Sequence, residues 1–205
     1  MHDILNYLDP MVIIKTLGLV GVFFIIFAES GLFFGFFLPG DSLLFTAGFL
    51  ASQNILNINI LVWVSFLCAV LGDSIGYWFG KKVGPKIFSK DDSIFFHKKH
   101  IERAQKFYDK YGNKTIFLAR FVPIVRTFAP IVAGVGQMKY KNFISYNIVG
   151  GFVWTFLMVY AGYFLGRVVP GVDKYLLPII LIIIIVSFLP VVFEYMKSRK
   201  DNKIK

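Results

Sequence analysis

Three stretches of this chain contain no Asp, Glu, Lys or Arg: residues 42–72, 142–166 and 176–193. A run of 18 or more apolar residues with few charges is the mark of a helix that crosses a bilayer, which takes about 20 residues. Of the 205 residues, 57% are hydrophobic and 17% charged, more apolar than the roughly 45–50% of soluble globular domains. The expected fold is an all-α polytopic membrane protein, one membrane domain over residues 1–205. The formal net charge of +10 would suggest nucleic acid in a soluble protein. Here the basic residues flank apolar runs, where they meet anionic lipid and set orientation, so no nucleic acid is expected.

Between the runs, the chain is interrupted twice in ways that a simple span does not tolerate. Residues 11–28 are apolar, and the segment ESGLFFGFFLPGD at 29–41 then brings three glycines, a proline and two acids. Irregular backbone at membrane depth is tolerated only where protein or water lines a cavity. Residues 17–52 therefore read as a re-entrant hairpin with Pro39-Gly40 near its tip, followed by a span at 57–80; together these make a first repeat, 11–80. Residues 115–138, broken by Pro123, Pro130, Gly134 and Gly136, read as a second re-entrant hairpin. It is followed by a span at 142–166, giving a second repeat, 115–166. A final transmembrane helix is expected at 176–195. At an offset of 86, Ala47-Gly48 matches Ala133-Gly134, and Gly76, Tyr77, Gly80 and Lys81 match Gly162, Tyr163, Gly166 and Arg167.

Charge orients these pieces. Residues 81–114 carry ten Lys or Arg against four Asp or Glu, and the tail KSRKDNKIK is basic. The positive-inside rule makes both cytoplasmic. Ile101, Ala104, Tyr108 and Tyr111 recur at helical spacing, so 81–114 reads as an amphipathic connector on the membrane surface. The two halves then have opposite topology. Inverted repeats whose broken helices meet near the midplane are a transporter architecture.

Four charges stand where charge is costly. Thr16–Gly72 carries only Glu29 and Asp41, and Thr115–Met138 only Arg120 and Arg126. Each costs roughly 2.5–3.5 kcal/mol at the bilayer centre on insertion scales, so they should share a polar cavity. The planar guanidinium of arginine takes phosphate in a two-pronged fork, which makes Arg120 and Arg126 candidate receptors for a lipid phosphate. Burial favours the neutral form of a carboxyl group, which makes Glu29 and Asp41 candidates for proton coupling. Asp73, late in the span 57–80, is a further candidate for a supporting position. Tyr77, Trp78, Trp154 and Tyr163 read as interfacial or packing aromatics, and Cys68 as a small buried hydrophobe. His97 and His100 have no further ligands near them, so neither a metal nor a cofactor is expected.

The motifs around these residues resemble the DedA family, also called the SNARE-associated or VTT-domain family. Glu29-x-Gly31 with Pro39-Gly40-Asp41 is similar to its acidic motif. Phe117-x-x-Arg120-Phe121-x-Pro123-x-x-Arg126, continuing to Ala133-Gly134, is similar to its second motif, and Gly72-Asp73-x-x-Gly76-Tyr77 also fits. The resemblance spans about residues 15–170, with Phe34 standing where many bacterial members have proline. It implies two opposed re-entrant hairpins in the inner membrane of a bacterium. It also implies translocation of undecaprenyl phosphate or of a phospholipid such as phosphatidylethanolamine, in some members with protons. Glu29, Asp41, Arg120 and Arg126 would be the functional residues, with Gly31, Pro39, Gly40, Pro123 and Gly134 shaping the backbone around them.

The expected function is thus a lipid-phosphate flippase, with proton coupling as an accompanying expectation; the alternative is a proton-dependent small-ion transporter or antiporter, which has less need of two arginines. An enzyme acting on lipid phosphates is not expected, since no nucleophile, base or metal-ligand cluster lies at membrane depth. A homo-oligomer is compatible with the sequence but not specified by it.

Overall fold

The computed structural model of the chain describes residues 10–32, 35, 38–87, 112 and 114–168. Among them the fold is all-helical, without a strand, in six helices: α1 (Pro10–Gly31), α2 (Gly40–Ser52), α3 (Ile58–Ile87), α4 (Thr115–Ala119), α5 (Pro123–Val135) and α6 (Tyr140–Val168). Of the expected connector at 81–114, the described residues include its first seven, 81–87, as the end of α3. Residues 88–111, with His97 and His100, lie outside the described residues, as do Phe34 and the expected span 176–195.

Length separates the helices into two kinds. At 1.5 Å per residue, the 30 residues of α3 and the 29 of α6 reach about 45 Å, enough to cross hydrocarbon and headgroups. Ile58–Val83 and Tyr140–Val168 are apolar and long enough to cross a membrane. The 13-residue α2 and α5 reach only about 20 Å. α1 is broken in two at Gly18, whose φ of 59° and ψ of −153° suit glycine and few other residues.

α3 continues seven residues beyond the span expected at 57–80. The apolar run stops at Gly80, but a helix need not stop where the hydrocarbon does. Lys81 carries the helix onward with its ammonium 5.1 Å from the centre of the Trp78 ring and 5.8 Å from that of Tyr77, a cation held at the apolar–polar boundary by its own helix. Arg167 lies over Tyr163 at 4.8 Å in the same way near the end of α6.

Local chemistry fixes the ends. The side-chain oxygen of Asn57 accepts from the backbone N–H groups of Asn59 (3.0 Å) and Ile60 (3.2 Å), capping the start of α3. α2 and α5 end alike. Asn54 and Gln137 take the left-handed conformation, φ 61° and 58°. Ile55 and Asn54 donate back to Leu50 and Ala51, as Met138 and Gln137 do to Ala133 and Gly134. Each is a Schellman cap, which uses up the last carbonyls of a helix.

The long helices α3 and α6 run antiparallel: Asn147 meets Val70, Phe152 meets Phe66, and Phe156 meets Trp63. α2 lies along α6 in the same direction, because the contacts Asp41–Trp154, Phe49–Gly162 and Ser52–Gly166 advance together. α5 lies along α3, again in the same direction, through Gly76–Pro130 and Lys81–Gly134. Both interfaces depend on glycine. A methyl group on Gly48 would strike the Val159 carbonyl, and one on Gly162 the carbonyl of Phe45; on Gly134 and Gly80 it would strike the carbonyls of Tyr77 and Ile131. The short helices thus correspond at the offset of 86 seen in the sequence. The long helices pair Gly80 with Gly162 rather than Gly166, one helical turn short of the sequence match.

The outside of this bundle is apolar. Leu17, Val20, Phe24, Leu67, Leu71 and Phe164 are all more than half exposed, whereas Glu29, Asp73, Arg120 and Arg126 are buried. That arrangement suits hydrocarbon surroundings.

Close backbone contact at Gly134 yields a test. Gly134→Val should separate α5 from α3 and cost about 1–3 kcal/mol, the usual range for overpacking. Gly150→Ala, whose added methyl meets its nearest neighbours at 3.5 Å, should leave the melting temperature unchanged or slightly raised. Thermal unfolding of both purified variants in one detergent checks the difference, and equal melting temperatures would reject the contact.

Candidate functional site

The buried charges gather where the short helices begin. Glu29 lies two residues before the end of α1 at Gly31, and its carboxylate rests against Gly40, the first residue of α2. Any Cβ at Gly40 would overlap Glu29 Oε2, so only glycine admits the carboxylate there. Pro39 precedes α2, and its carbonyl accepts from the Ser42 hydroxyl (3.0 Å) and the Leu43 N–H (2.8 Å). That turn sets Asp41 in the first helical turn.

Arg126 closes this group from α5. Its Nη1 donates to Asp41 Oδ1 at 2.5 Å, and its Nη2 pairs with Glu29 Oε1. The two prongs of one guanidinium are thus held by acids from two helices. Trp154 of α6 donates its indole N–H to the same Asp41 Oδ1 at 2.8 Å. The Arg126 guanidinium lies over its ring at 4.6 Å, within cation–π range.

Arg120 forms a second clasp. Its Nη2 pairs with Asp73 Oδ2 of α3 and donates to Asn147 Oδ1 of α6 at 2.5 Å; Asn147 in turn donates to the Val70 carbonyl at 3.1 Å. Gly151 lies beside it: a methyl there would meet the guanidinium carbon at 3.6 Å, an ordinary contact, and Val70 more tightly at 3.0 Å. The Arg120 guanidinium lies 5.9 Å from the Trp154 ring, so this one indole neighbours both arginines.

The backbone explains how residues six apart converge. Arg120 ends α4, Val122 is extended (φ −118°, ψ 107°), and Pro123 opens α5. Proline disfavours helical geometry in the residue before it and suits the first turn of the helix after it. An unbroken helix would turn residues 120 and 126 to different faces. Gly31 packs on Gly72, a methyl on the former falling 2.9 Å from the latter's carbonyl oxygen; this brings the end of α1 beside Asp73.

All four charges singled out in the sequence come together, and Gly31, Pro39, Gly40 and Pro123 lie close to them in the chain or in space, whereas Gly134 packs on Tyr77 and Lys81 about two helical turns beyond Arg126. The structure differs on Asp73, expected in a supporting position and found paired directly with Arg120. With Asp73 included, the cluster holds three carboxylates against two guanidiniums. Asn147 escaped the sequence reading, and Trp154, read there as an interfacial or packing aromatic, is found bonded to Asp41. Asn147 had a signal, as a strong hydrogen-bonding amide inside a charge-free run. Trp154 had none, because its role depends on which helix lies beside α6.

The VTT domain family model matches residues 38–164. The chain belongs to the VTT-domain, or DedA, family. It is 47% identical to Protein DedA of Escherichia coli (strain K12) over 181 residues, 87% of this chain and 82% of that protein. It is 45% identical to an uncharacterized membrane protein of Mycobacterium tuberculosis (strain ATCC 25618 / H37Rv) over 193 residues, 90% of this chain and 84% of that one. It is 35% identical to a membrane protein of Synechocystis over 156 residues, 76% of this chain and 70% of that one. No solved structure matches the chain. These relatives place this VTT-domain protein in a bacterial membrane, and its matched region includes Asp41, Asp73, Arg120, Arg126, Asn147 and Trp154.

The Arg120–Asp73 pair is buried on both sides, and breaking a buried pair typically costs about 3–5 kcal/mol, because one charge is left without compensation. Asp73→Ala should show a loss of that order. Asp73→Ala with Arg120→Leu should lose less than the two single changes combined. Denaturation of the four proteins in a double-mutant cycle measures the coupling, and strict additivity would mean that the two residues do not stabilise one another.

Proposed function

We propose that the protein carries a phosphate-bearing lipid across the bacterial inner membrane, and that Arg126 and Arg120 receive the phosphate. In this reading Glu29 and Asp41 hold Arg126 between turnovers and exchange protons as they release it. The observation that carries the proposal is the divided grip on Arg126: each prong of its fork is held by a carboxylate on a different helix. A phosphate offers the same planar edge of donors an equivalent partner. It can therefore replace the carboxylates without leaving the guanidinium bare. Protonating either carboxyl weakens its hold and frees a donor. The apolar exterior lets a lipid tail stay in hydrocarbon while its headgroup reaches the cluster. Undecaprenyl phosphate and a phospholipid such as phosphatidylethanolamine are the candidate substrates. The protein's part is binding and movement, with no bond made or broken.

The architecture proposed with this function is two inverted repeats, with re-entrant hairpins at 17–52 and 115–138, and a cytoplasmic connector and C-terminus. Support comes from the matched glycine contacts of α2 on α6 and α5 on α3, from the matched caps, and from the lysines that end α3. In a Cys68→Ala background, Asn54→Cys in the α2–α3 loop should react with an impermeant maleimide from outside intact cells. Gln137→Cys in the α5–α6 loop should react only after the cells are opened. Labelling of both positions from one side would reject the inverted arrangement.

A second reading, small-ion transport, draws on the surplus carboxylate, which a proton or small cation would balance. Purified protein in proteoliposomes separates the two, with lipid-phosphate accessibility and ion flux read in parallel. Lysine keeps the charge of arginine but loses its planar fork. Arg126→Lys should therefore lower lipid binding by about 1–3 kcal/mol, the scale of a charged hydrogen bond, and slow transport to match. Glu29→Gln and Asp41→Asn should fold normally and lose the pH dependence of transport. Wild-type lipid affinity in Arg126→Lys, or ion flux without lipid movement, would overturn the flippase reading.

A further inference from the structure

Among the described residues, three side-chain hydroxyls are buried without any hydrogen-bond partner: Thr46 of α2, Ser65 of α3 and Thr155 of α6, each 0% exposed. Two of them share one level, and the third lies a turn away. Thr155 follows Trp154, whose indole is bonded to Asp41, and the register of α2 on α6 sets it beside Ser42. Thr46 is one helical turn further along. Ser65 lies between Trp63 and Phe66, whose rings pack on Phe152 and Phe156 on the outer face of α3 and α6. It therefore stands level with Thr155 on the inner side of the same interface.

Their place in the fold makes the coincidence informative. The contacts that pair Tyr77 with Val159 and Gly80 with Gly162 set the long helices at an offset of 82. At that offset Thr155 corresponds to Asp73, and Ser65 to Asn147. Those two are the residues that clasp Arg120. The hydroxyls thus occupy the counterpart of the Arg120 clasp in the other half of the bundle. No arginine or lysine is available to fill it, since none occurs from Thr16 to Gly72.

We infer that Ser65, Thr155 and Thr46 form a binding site for internal water beside the Trp154–Asp41 contact, and that this water gives the Asp41 carboxyl its proton exchange from the α2–α3 loop side. A buried hydroxyl left without a partner costs about 1–3 kcal/mol, and internal water making two to four hydrogen bonds is the usual remedy. The site offers neutral hydroxyls and no carboxylate of its own, which suits water and not a cation. The charged groups around Asp41 are Glu29 from α1 and Arg126 from α5, then Asp73 of α3 and Arg120 after α4. α6 contributes only the indole N–H. The charged clasp on Arg120 closes one half of the bundle, while the hydroxyls leave the other half open to proton exchange. The proton role rests on the proton coupling proposed above; the water site does not.

Radiolytic hydroxyl-radical labelling marks buried side chains that touch bound water. In the purified full-length protein, Trp154 should be labelled faster, after correction for intrinsic reactivity, than Phe143, which is equally buried against Tyr77. Labelling of Trp154 should fall to the Phe143 level in Thr155→Val with Ser65→Ala, and persist in Thr155→Ser, which keeps the hydroxyl. Trp154 labelled no faster than Phe143, or unchanged in the double variant, overturns the water site. In proteoliposomes Thr155→Val should lose the response of lipid transport to pH on the α2–α3 loop side. A retained response overturns the proton role. Failure of the wild-type protein to move lipid would count against the proposed function alone, because the labelling reads the water without transport.

Discussion

One guanidinium ties the fold together. Arg126 reaches out of α5 to acids from α1 and α2, over an indole from α6. Neither the arginine nor the acids could remain charged in hydrocarbon without the others. This requirement fixes where the short helices start. α2 must begin with Gly40, so that the Glu29 carboxylate fits, and α5 must begin anew at Pro123, so that Arg126 turns inward. The backbone interruptions and the ion pairs are one feature seen at two scales. Broken helices supply the place for the charges, and the charges hold the broken ends together.

The second clasp works on the same principle with different parts. Arg120, Asp73 and Asn147 tie the end of α4 to both long helices, and Asn147, which accepts from Arg120 through its Oδ1, donates through its amide nitrogen to the Val70 carbonyl. Trp154 lies within reach of both guanidiniums, so one indole ring stands between the two clasps.

Much of this was legible in the residues. Charge-free runs gave α3 and α6, because a helix in hydrocarbon has to be long and apolar. Gly and Pro marked the interruptions near residues 31–40 and 120–123, because nothing else in the sequence explained acids and arginines there. A census of charges was enough to select Glu29, Asp41, Arg120 and Arg126, since charge at membrane depth is rare and demands company. Pairing was not legible. That Arg120 meets Asp73, and that Trp154 meets Asp41 across 113 residues, follows from which helices lie side by side, and local sequence does not encode the register. The offset of 86 also held only for the short helices. The first half has one more helical turn between its glycine contact and its long helix, which a single alignment of the halves conceals.

The two short helices also reach unequally far from the paired charges. α2 runs eleven residues from Asp41 to its end at Ser52, and α5 runs nine from Arg126 to Val135, a difference of about 3 Å. The ionic centre is therefore not equidistant from the two ends of the bundle. For a headgroup that must leave water to reach it, the low-dielectric path is longer from one side than from the other. The two legs of a crossing would then have unequal barriers, and the longer one would set the pace. Under the proposed function, such a protein would be kinetically lopsided while remaining thermodynamically neutral: gradients would decide which way lipid moves, and the geometry which leg is slow.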